Sequence, residues 1–356
     1  MAEPHKVTIG DVARHAGVSK GTVSLAYSGK RPVSPETRRR VFAAAEQLKW
    51  TASHRARALA TSRTGTIGLV VARDPDVLAT DPFFAKFIGG CESVLAEHGM
   101  GLMLHAVTSK EAELAVYERL ASGRVDGVIL LDVEVDDHRF ALVQQLGLPA
   151  VVLSAHRPEP GETSGLPTVY SDDSAAIGEI VDLLVDAGHT RIAHVAGPLR
   201  YIHGRVRRET FTAAMHDRGL DASLVVEGDF TASSGRDTTA RLLDRDEPPT
   251  AIVYANDMMA IAGLSLARSR GVLVPEELSV TGYDDSELSA HLSPPLTTVA
   301  TGAVERGAIA MRALLAALAS EVPEDVLADH TTVVRRGSIA APPRATTRTV
   351  PTGVHR

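Results

Sequence analysis

Polar side chains recur where apolar, strand-like runs end. Asp81-Pro82-Phe83-Phe84 follows the run from Thr66 to Val71, Asp132 follows Gly127 to Leu131, and Ser154 follows Ala150 to Leu153. In the second half of the chain Asn256-Asp257 follows Ala251 to Tyr254, and Tyr283-Asp284-Asp285 follows Leu278 to Thr281. Carboxylates accept from paired hydroxyls, an amide both donates and accepts, and an aromatic ring covers an apolar sugar face, so this set suits a polyol. Any one Asp at such a place is equally explained as a helix cap. Several on one rim favour a binding site.

A second constellation stands near the N-terminus. Thr8 precedes a helical pattern with Asp11 three residues on, a capping box with Asp in place of Glu. Gly17 falls where a left-handed C-cap would end that helix, and Ser19 caps the next one, from Lys20 to about Tyr27. Two short helices joined by a Gly-containing turn form a helix-turn-helix, whose second helix enters a DNA major groove. With Val23 inward, Lys20, Gly21 and Ser24 face out. Ser19 and Thr22 are then placed for phosphates and Lys20 for a base edge. Plain caps and a solvated lysine are the structural alternative, and the capping role is compatible with phosphate binding.

The charge distribution supports a polyanion partner, although the whole chain has 37 Lys/Arg against 44 Asp/Glu, a net charge of −7. Residues 1–64 carry 12 basic and 4 acidic residues, hence +8, which leaves −15 for the remainder. The tail from Arg335 has five Arg and no acid, so residues 65–334 hold −20. Such asymmetry points to a small polyanion-binding module joined to a domain with another task. Cys91 is the single cysteine of 356 residues, so no intrachain disulfide can form. With no signal-like apolar run at the N-terminus and no stretch long enough to span a membrane, a cytoplasmic protein is expected.

The elements that must position these groups fall into two kinds. Val12, Ala16, Val18 and Val23, with Val41, Phe42, Ala45 and Leu48 of a third helix opened by Ser34-Pro35, form a small all-α core. From Thr66 onward near-continuous apolar strands alternate with helix-length stretches such as 84–99 and 175–188. That alternation implies parallel sheets covered on both faces, in two doubly wound α/β subdomains with a ligand cleft at the carboxyl ends of the strands. No Gly-rich phosphate loop, zinc-protease motif or nucleophile elbow is present, the 14 His form no spaced metal cluster, and Asp284-Asp285 are not a shared-proton dyad. Neither cofactor nor metal is expected, and an enzyme is the weakest reading.

The run Val7-Thr8-Ile9-Gly10-Asp11-Val12-Ala13-Arg14-His15-Ala16-Gly17-Val18-Ser19-Lys20-Gly21-Thr22-Val23-Ser24 resembles the DNA-binding head of the LacI/GalR family of bacterial transcription regulators. The family commonly has Arg directly after this Ser; here it is Leu25, which can touch a thymine methyl or pack inward. Residues 51–60 resemble the family's hinge helix, with Leu59 as a minor-groove wedge and Arg55 and Arg57 as phosphate contacts. Gly188-His189-Thr190-Arg191-Ile192-Ala193-His194-Val195-Ala196-Gly197-Pro198, Ala255-Asn256-Asp257, Val280-Thr281-Gly282-Tyr283-Asp284-Asp285 and Pro294-Pro295-Leu296-Thr297-Thr298-Val299 look like the effector domain, itself similar to periplasmic sugar-binding proteins. By register the resemblance places effector contacts on Arg205, Phe230, Asn256 and Asp284, with Asp81, Phe83, Asp132 and Ser154 completing the candidate set.

The expected organisation is thus a DNA-binding head (residues 1–50), a hinge helix and linker (51–64), an effector-binding and dimerisation domain (65–334) and a disordered tail (335–356). The resemblance implies a repressor that binds double-stranded operator DNA as a homodimer or tetramer and responds to a small molecule, foremost a sugar. An activator or corepressor-dependent regulator, and a sugar-binding protein without DNA function, are the competing readings.

Overall fold

The structure is a computed structural model that describes residues 7–28, 32–50, 63–321, 324–328 and 331–343. The expected hinge helix, with Arg55, Arg57 and Leu59, lies outside the described residues.

The head comprises α1 (Ile9–Ala16), α2 (Lys20–Ser28) and α3 (Pro35–Gln47). The Asp11 carboxylate accepts from the Thr8 backbone N–H at 2.9 Å and the Thr8 hydroxyl at 2.6 Å, which fixes the start of α1. Gly17, at φ +62°, ends it, and the Val18 N–H returns to the Ala13 carbonyl at 3.0 Å. That is the left-handed C-cap the sequence called for. Ser19 Oγ accepts from Thr22 N–H at 3.0 Å, and Ser34 Oγ from Thr37 N–H at 3.2 Å. Val12, Ala16, Val23, Ala26, Val41 and Ala45 fill the core. Phe42, expected inside, instead lies 38% exposed against Tyr27 and under Arg38.

The rest of the chain forms two α/β lobes. The first holds β1 (Thr66–Ala72), α4 (Pro75–Thr80), α5 (Pro82–Glu97), β2 (Gly101–Val107), α6 (Lys110–Ala121), β3 (Gly127–Leu130), α7 (Arg139–Gln145), β4 (Ala150–Ser154) and β5 (Thr168–Tyr170). The second holds α8 (Asp173–Asp186), β6 (Ile192–Ala196), α9 (Ile202–Asp217), β7 (Val225–Glu227), α10 (Ala232–Leu243), β8 (Ala251–Tyr254), α11 (Asp257–Ser269), β9 (Ser279–Thr281), α12 (Glu287–His291) and β10 (Thr298–Ala300). The chain then returns to the first lobe with α13 (Ala303–Leu318) and β11 (Val326–Leu327), and back to the second with β12 (Thr332–Val334).

The first sheet is parallel in the order β11-β5-β4-β3-β1-β2 and the second parallel in the order β7-β6-β8-β9; β10 and β12 make a separate antiparallel pair. Strand interiors such as Ile67 to Val71 and Val128 to Leu130 are buried throughout, as sheets covered on both faces require. The lobes are therefore interleaved in sequence, with the chain crossing between them at residues 171–172, at 301–302 and after Ala328.

Although its richness in Arg, Thr and Pro predicts a disordered segment from Arg335, residues 335–343 pack on the second lobe. Ser338 Oγ donates to the Val280 carbonyl at 2.5 Å, the Ala340 N–H donates to Ser279 Oγ at 3.1 Å, and Arg336 pairs with Asp285 at 2.5 Å. Backbone and short-hydroxyl bonds hold it, and these leave little trace in composition.

Candidate functional site

A cleft of about 600 Å³, counting the space open to solvent at its mouth, lies between the lobes. Arg73 follows β1 and Asp132 follows β3, the two strands between which the strand order of the first sheet reverses. In doubly wound sheets that is where ligands settle. Arg73 grips Asp132 with two parallel bonds, Nε to Oδ2 at 2.7 Å and Nη2 to Oδ1 at 2.9 Å. Burial works against the Asp132 charge, but the guanidinium outweighs it and holds the carboxyl down at about 2. The same guanidinium lies 3.8 Å from the Tyr201 ring centroid and 5.1 Å from that of Phe230.

Phe230 belongs to the second lobe and is held in a left-handed backbone conformation, φ +72°. Asn256 Nδ2 donates to its carbonyl at 3.0 Å, while Asn256 Oδ1 caps α11 through Met259 N–H at 3.0 Å. The His203 ring stacks on Phe230, 5.5 Å between centroids, and burial pushes its pKa down to about 3, so the ring is a neutral imidazole. Asp132 (φ +50°) and Asp284 (φ +99°) share Phe230's unusual backbone region. Three such non-glycine residues, one from the first lobe and two from the second, line one cleft and mark a place where the fold holds strained backbone, as binding sites often do.

Asp81 and Asp284 face the cleft from opposite lobes. Burial lifts Asp284 well above the carboxylate range and the Asp81 charge lifts it further; burial likewise raises Asp81, with Asp132 adding to it against the bond from Phe83 N–H. Both are acceptors poor in protein donors, suited to hydroxyl groups. Deeper in, Asp173 accepts from Arg207 Nε and Nη2 at 3.0 and 2.9 Å and from Arg306 Nη2 at 3.3 Å. Burial opposes its charge, but the two guanidiniums hold its pKa far below the ordinary value.

The structure thus brings Asp81, Phe83, Asp132, Ser154, Phe230 and Asp284 to one cleft. It does not bring Arg205 there. Arg205 pairs with Glu209 at 3.1 Å on the outer face of α9, with its side chain 47% exposed. The helical period explains the correction: His203, Arg207 and Phe211 share the inward stripe at spacings of four, and Arg207 reaches the cleft from it. Asn256 is also corrected, since it is buried behind Phe230 and positions that residue without lining the cleft. Arg73, Asp173, His203, Arg207 and Arg306 escaped the sequence reading. The available signal for Arg207 was its register with Phe211.

In the head, Thr8, Ser19, Lys20 and Gly21 are exposed, and Thr22, Ser24 and Leu25 are half-buried. Arg14, Arg38, Arg39, Arg40 and Lys49 of the same module are exposed as well. Exposed basic side chains together with an exposed helix N-terminus suit phosphates and a groove. No helix among the described residues is long and apolar enough to cross a membrane.

Comparison with known proteins reports on both halves. The family profile "Bacterial regulatory proteins, lacI family" matches residues 8–53, and that of the "Periplasmic binding protein-like domain" matches residues 181–339. The HTH-type transcriptional regulator CelR of Thermobifida fusca is 34% identical over 328 residues, 92% of this chain and 96% of its own length. Among solved structures, the complex of transcriptional regulator CelR with cellobiose matches with a TM-score of 0.72 at 32% identity, covering 94% of this chain and 100% of that one. The lac repressor dimer bound to operator and the anti-inducer ONPF matches with a TM-score of 0.79 at 27% identity, over 94% of this chain and 99% of that one.

Proposed function

The chain belongs to the LacI family of bacterial regulatory proteins, DNA-binding regulators and not enzymes, and on that premise we propose that it is a cytoplasmic repressor whose hold on operator DNA is set by a sugar in the inter-lobe cleft. The observation that carries the reading is the cleft itself. Asp81, Phe83 and the Arg73–Asp132 fork come from one lobe, and Phe230 and Asp284 from the other, so a polyol there touches both lobes at once. CelR, similar over nearly the whole chain, is a structure holding cellobiose, a ligand of this class.

A ligand that touches both lobes favours one lobe arrangement over another by its differential contacts. That preference reaches DNA through the segment joining the head to β1. Two copies of the chain, as in the lac repressor dimer on its operator, would place two heads on a near-palindromic site, with α2 of each in a major groove. Lys20, Gly21, Ser24 and Leu25 read bases, Thr8, Ser19 and Thr22 hold phosphates, and Arg55 and Leu59 act at the central minor groove.

The test is selection of bound sites from a random DNA library by the full-length protein, followed by titration of sugars against the protein on the selected site. The expected result is an enriched near-palindrome that at least one sugar releases. No enriched sequence, or no sugar altering the complex, would overturn the reading; a sugar that tightens the complex would reverse the sign of regulation.

A further inference from the structure

We propose that the effector is an acidic sugar whose carboxylate seats against Arg306; the inference rests on the cleft being the effector site and names the chemistry that fills it. Arg306 stands in the first turn of α13, is 4% exposed and lines the cleft. Its Nη2 donates to Asp173 Oδ1 at 3.3 Å and to Thr331 Oγ1 at 2.8 Å, whereas its Nε has no hydrogen-bond partner among the described residues. A buried donor left unmatched on a permanently charged group is costly unless a ligand or water meets it.

The local charge is also unmatched. Asp173 already takes two bonds from Arg207 on Oδ2 and one from the Ser171 hydroxyl on Oδ1 at 2.9 Å. One carboxylate therefore answers two guanidiniums, neither of which can shed its proton. Arg73 cannot account for the excess because Asp132 is committed to it through both oxygens. The remaining cleft acids, Asp81 and Asp284, make no hydrogen bond to Arg306, whose bonds among the described residues go to Asp173 and Thr331. A neutral sugar hydroxyl would accept from Nε and leave the charge standing. A carboxylate meets both needs with one charge-assisted bond, while the sugar hydroxyls donate to Asp81 and Asp284.

The experiment is calorimetric titration of the full-length protein with matched pairs: glucose and glucuronate, galactose and galacturonate, cellobiose and cellobionate. The methyl ester of any acid that binds is added as an uncharged analogue of similar shape. At least one acid should bind about tenfold or more tightly than both its neutral parent and its ester, and should shift operator binding. Arg306→Met, close in volume, should remove that preference, whereas Arg306→Lys should keep part of it. A neutral parent or ester that binds as tightly as its acid overturns the proposal, and so does an unchanged acid preference in Arg306→Met. The comparison of acid with ester on the unmodified protein decides the matter even if a variant fails to fold. A neutral sugar that alone shifts operator binding sinks this inference and leaves the regulator reading standing; no binding by any of the compounds sinks both.

Discussion

Phe230 forms one wall of the cleft, and its position depends on contacts from three separate stretches of chain. Asn256 fixes its backbone, His203 lies on one face of its ring, and the ring closes over Gly197, where an added Cβ would come within 2.1 Å of Cζ. Gly197→Ala must therefore move the ring, and since Arg73 lies over the same ring, the Arg73–Asp132 fork is disturbed with it. We expect effector affinity to fall by about tenfold or more, with operator affinity of the effector-free protein unchanged, because overpacking at this contact costs about 1–3 kcal/mol. Titration of both ligands checks this, and an unaltered effector affinity would show that the ring does not define the pocket. Legibility at this scale was uneven for a physical reason. Asp81, Asp132 and Asp284 could be read because strand ends are defined by the apolar runs before them. Arg205 and Arg207 sit two apart in Arg205-Val206-Arg207-Arg208, where composition is the same on both faces and the helical phase, visible in Phe211, decides which one turns inward.

Among elements, the contact between α5 and α13 is set by glycines. A Cβ on Gly90 would come within 1.9 Å of the Val304 carbonyl oxygen, and one on Gly307 within 2.2 Å of the Phe87 carbonyl oxygen. These neighbours are backbone and cannot turn aside, so Gly90→Ala must separate the helices. A loss of about 1–3 kcal/mol in unfolding free energy is expected, read by denaturant titration. Since Phe83 in the first turn of α5 and Arg306 in the first turn of α13 both line the cleft, effector binding should weaken as well. In β6, His194 is fully buried between the sheet and Phe211, its Nδ1 2.9 Å from the Val253 carbonyl, and burial pushes its pKa down to about 4. The unfolded chain takes up that proton near pH 6.5, so this residue's stabilising contribution is complete above pH 6.5 and is lost as pH falls toward 4. His194→Asn keeps a donor toward Val253 and cannot ionise. Its stability relative to the parent should rise by about 2 kcal/mol between pH 7 and pH 5, and parallel pH curves would remove His194 from acid sensitivity. The strands with long β-branched runs, β1, β3, β4, β6 and β8, were all legible in the sequence. The short β5, β10, β11 and β12, together with residues 335–343, were not, because backbone pairing with distant partners holds them and no apolar period marks them.

For the whole molecule the charge distribution separates two kinds of binding. The head exposes Arg14, Lys20, Arg38, Arg39, Arg40 and Lys49 within a segment of net charge +8, whereas residues 65–334 carry −20, so in the proposed regulator the head would meet DNA and the lobes would repel it. Contacts to phosphates displace condensed cations, so operator affinity must fall along a straight line of log K against log salt; six to ten phosphate contacts would lose about 10³–10⁵ between 50 and 200 mM. The ionic contacts of the cleft are buried, as Asp173, Arg207 and Arg306 show, and screening reaches them far less. Effector affinity should therefore change by less than about threefold over the same salt range. A fragment beginning at Arg63 retains both lobes, because the head contributes no side chain to the cleft. It should bind effector with the parent's affinity and show no operator binding at any salt concentration. Sequence-specific DNA binding by that fragment would place recognition on the lobes and overturn the division of labour. Equal salt slopes for effector and operator would instead mean that the effector meets an exposed charged surface outside the cleft.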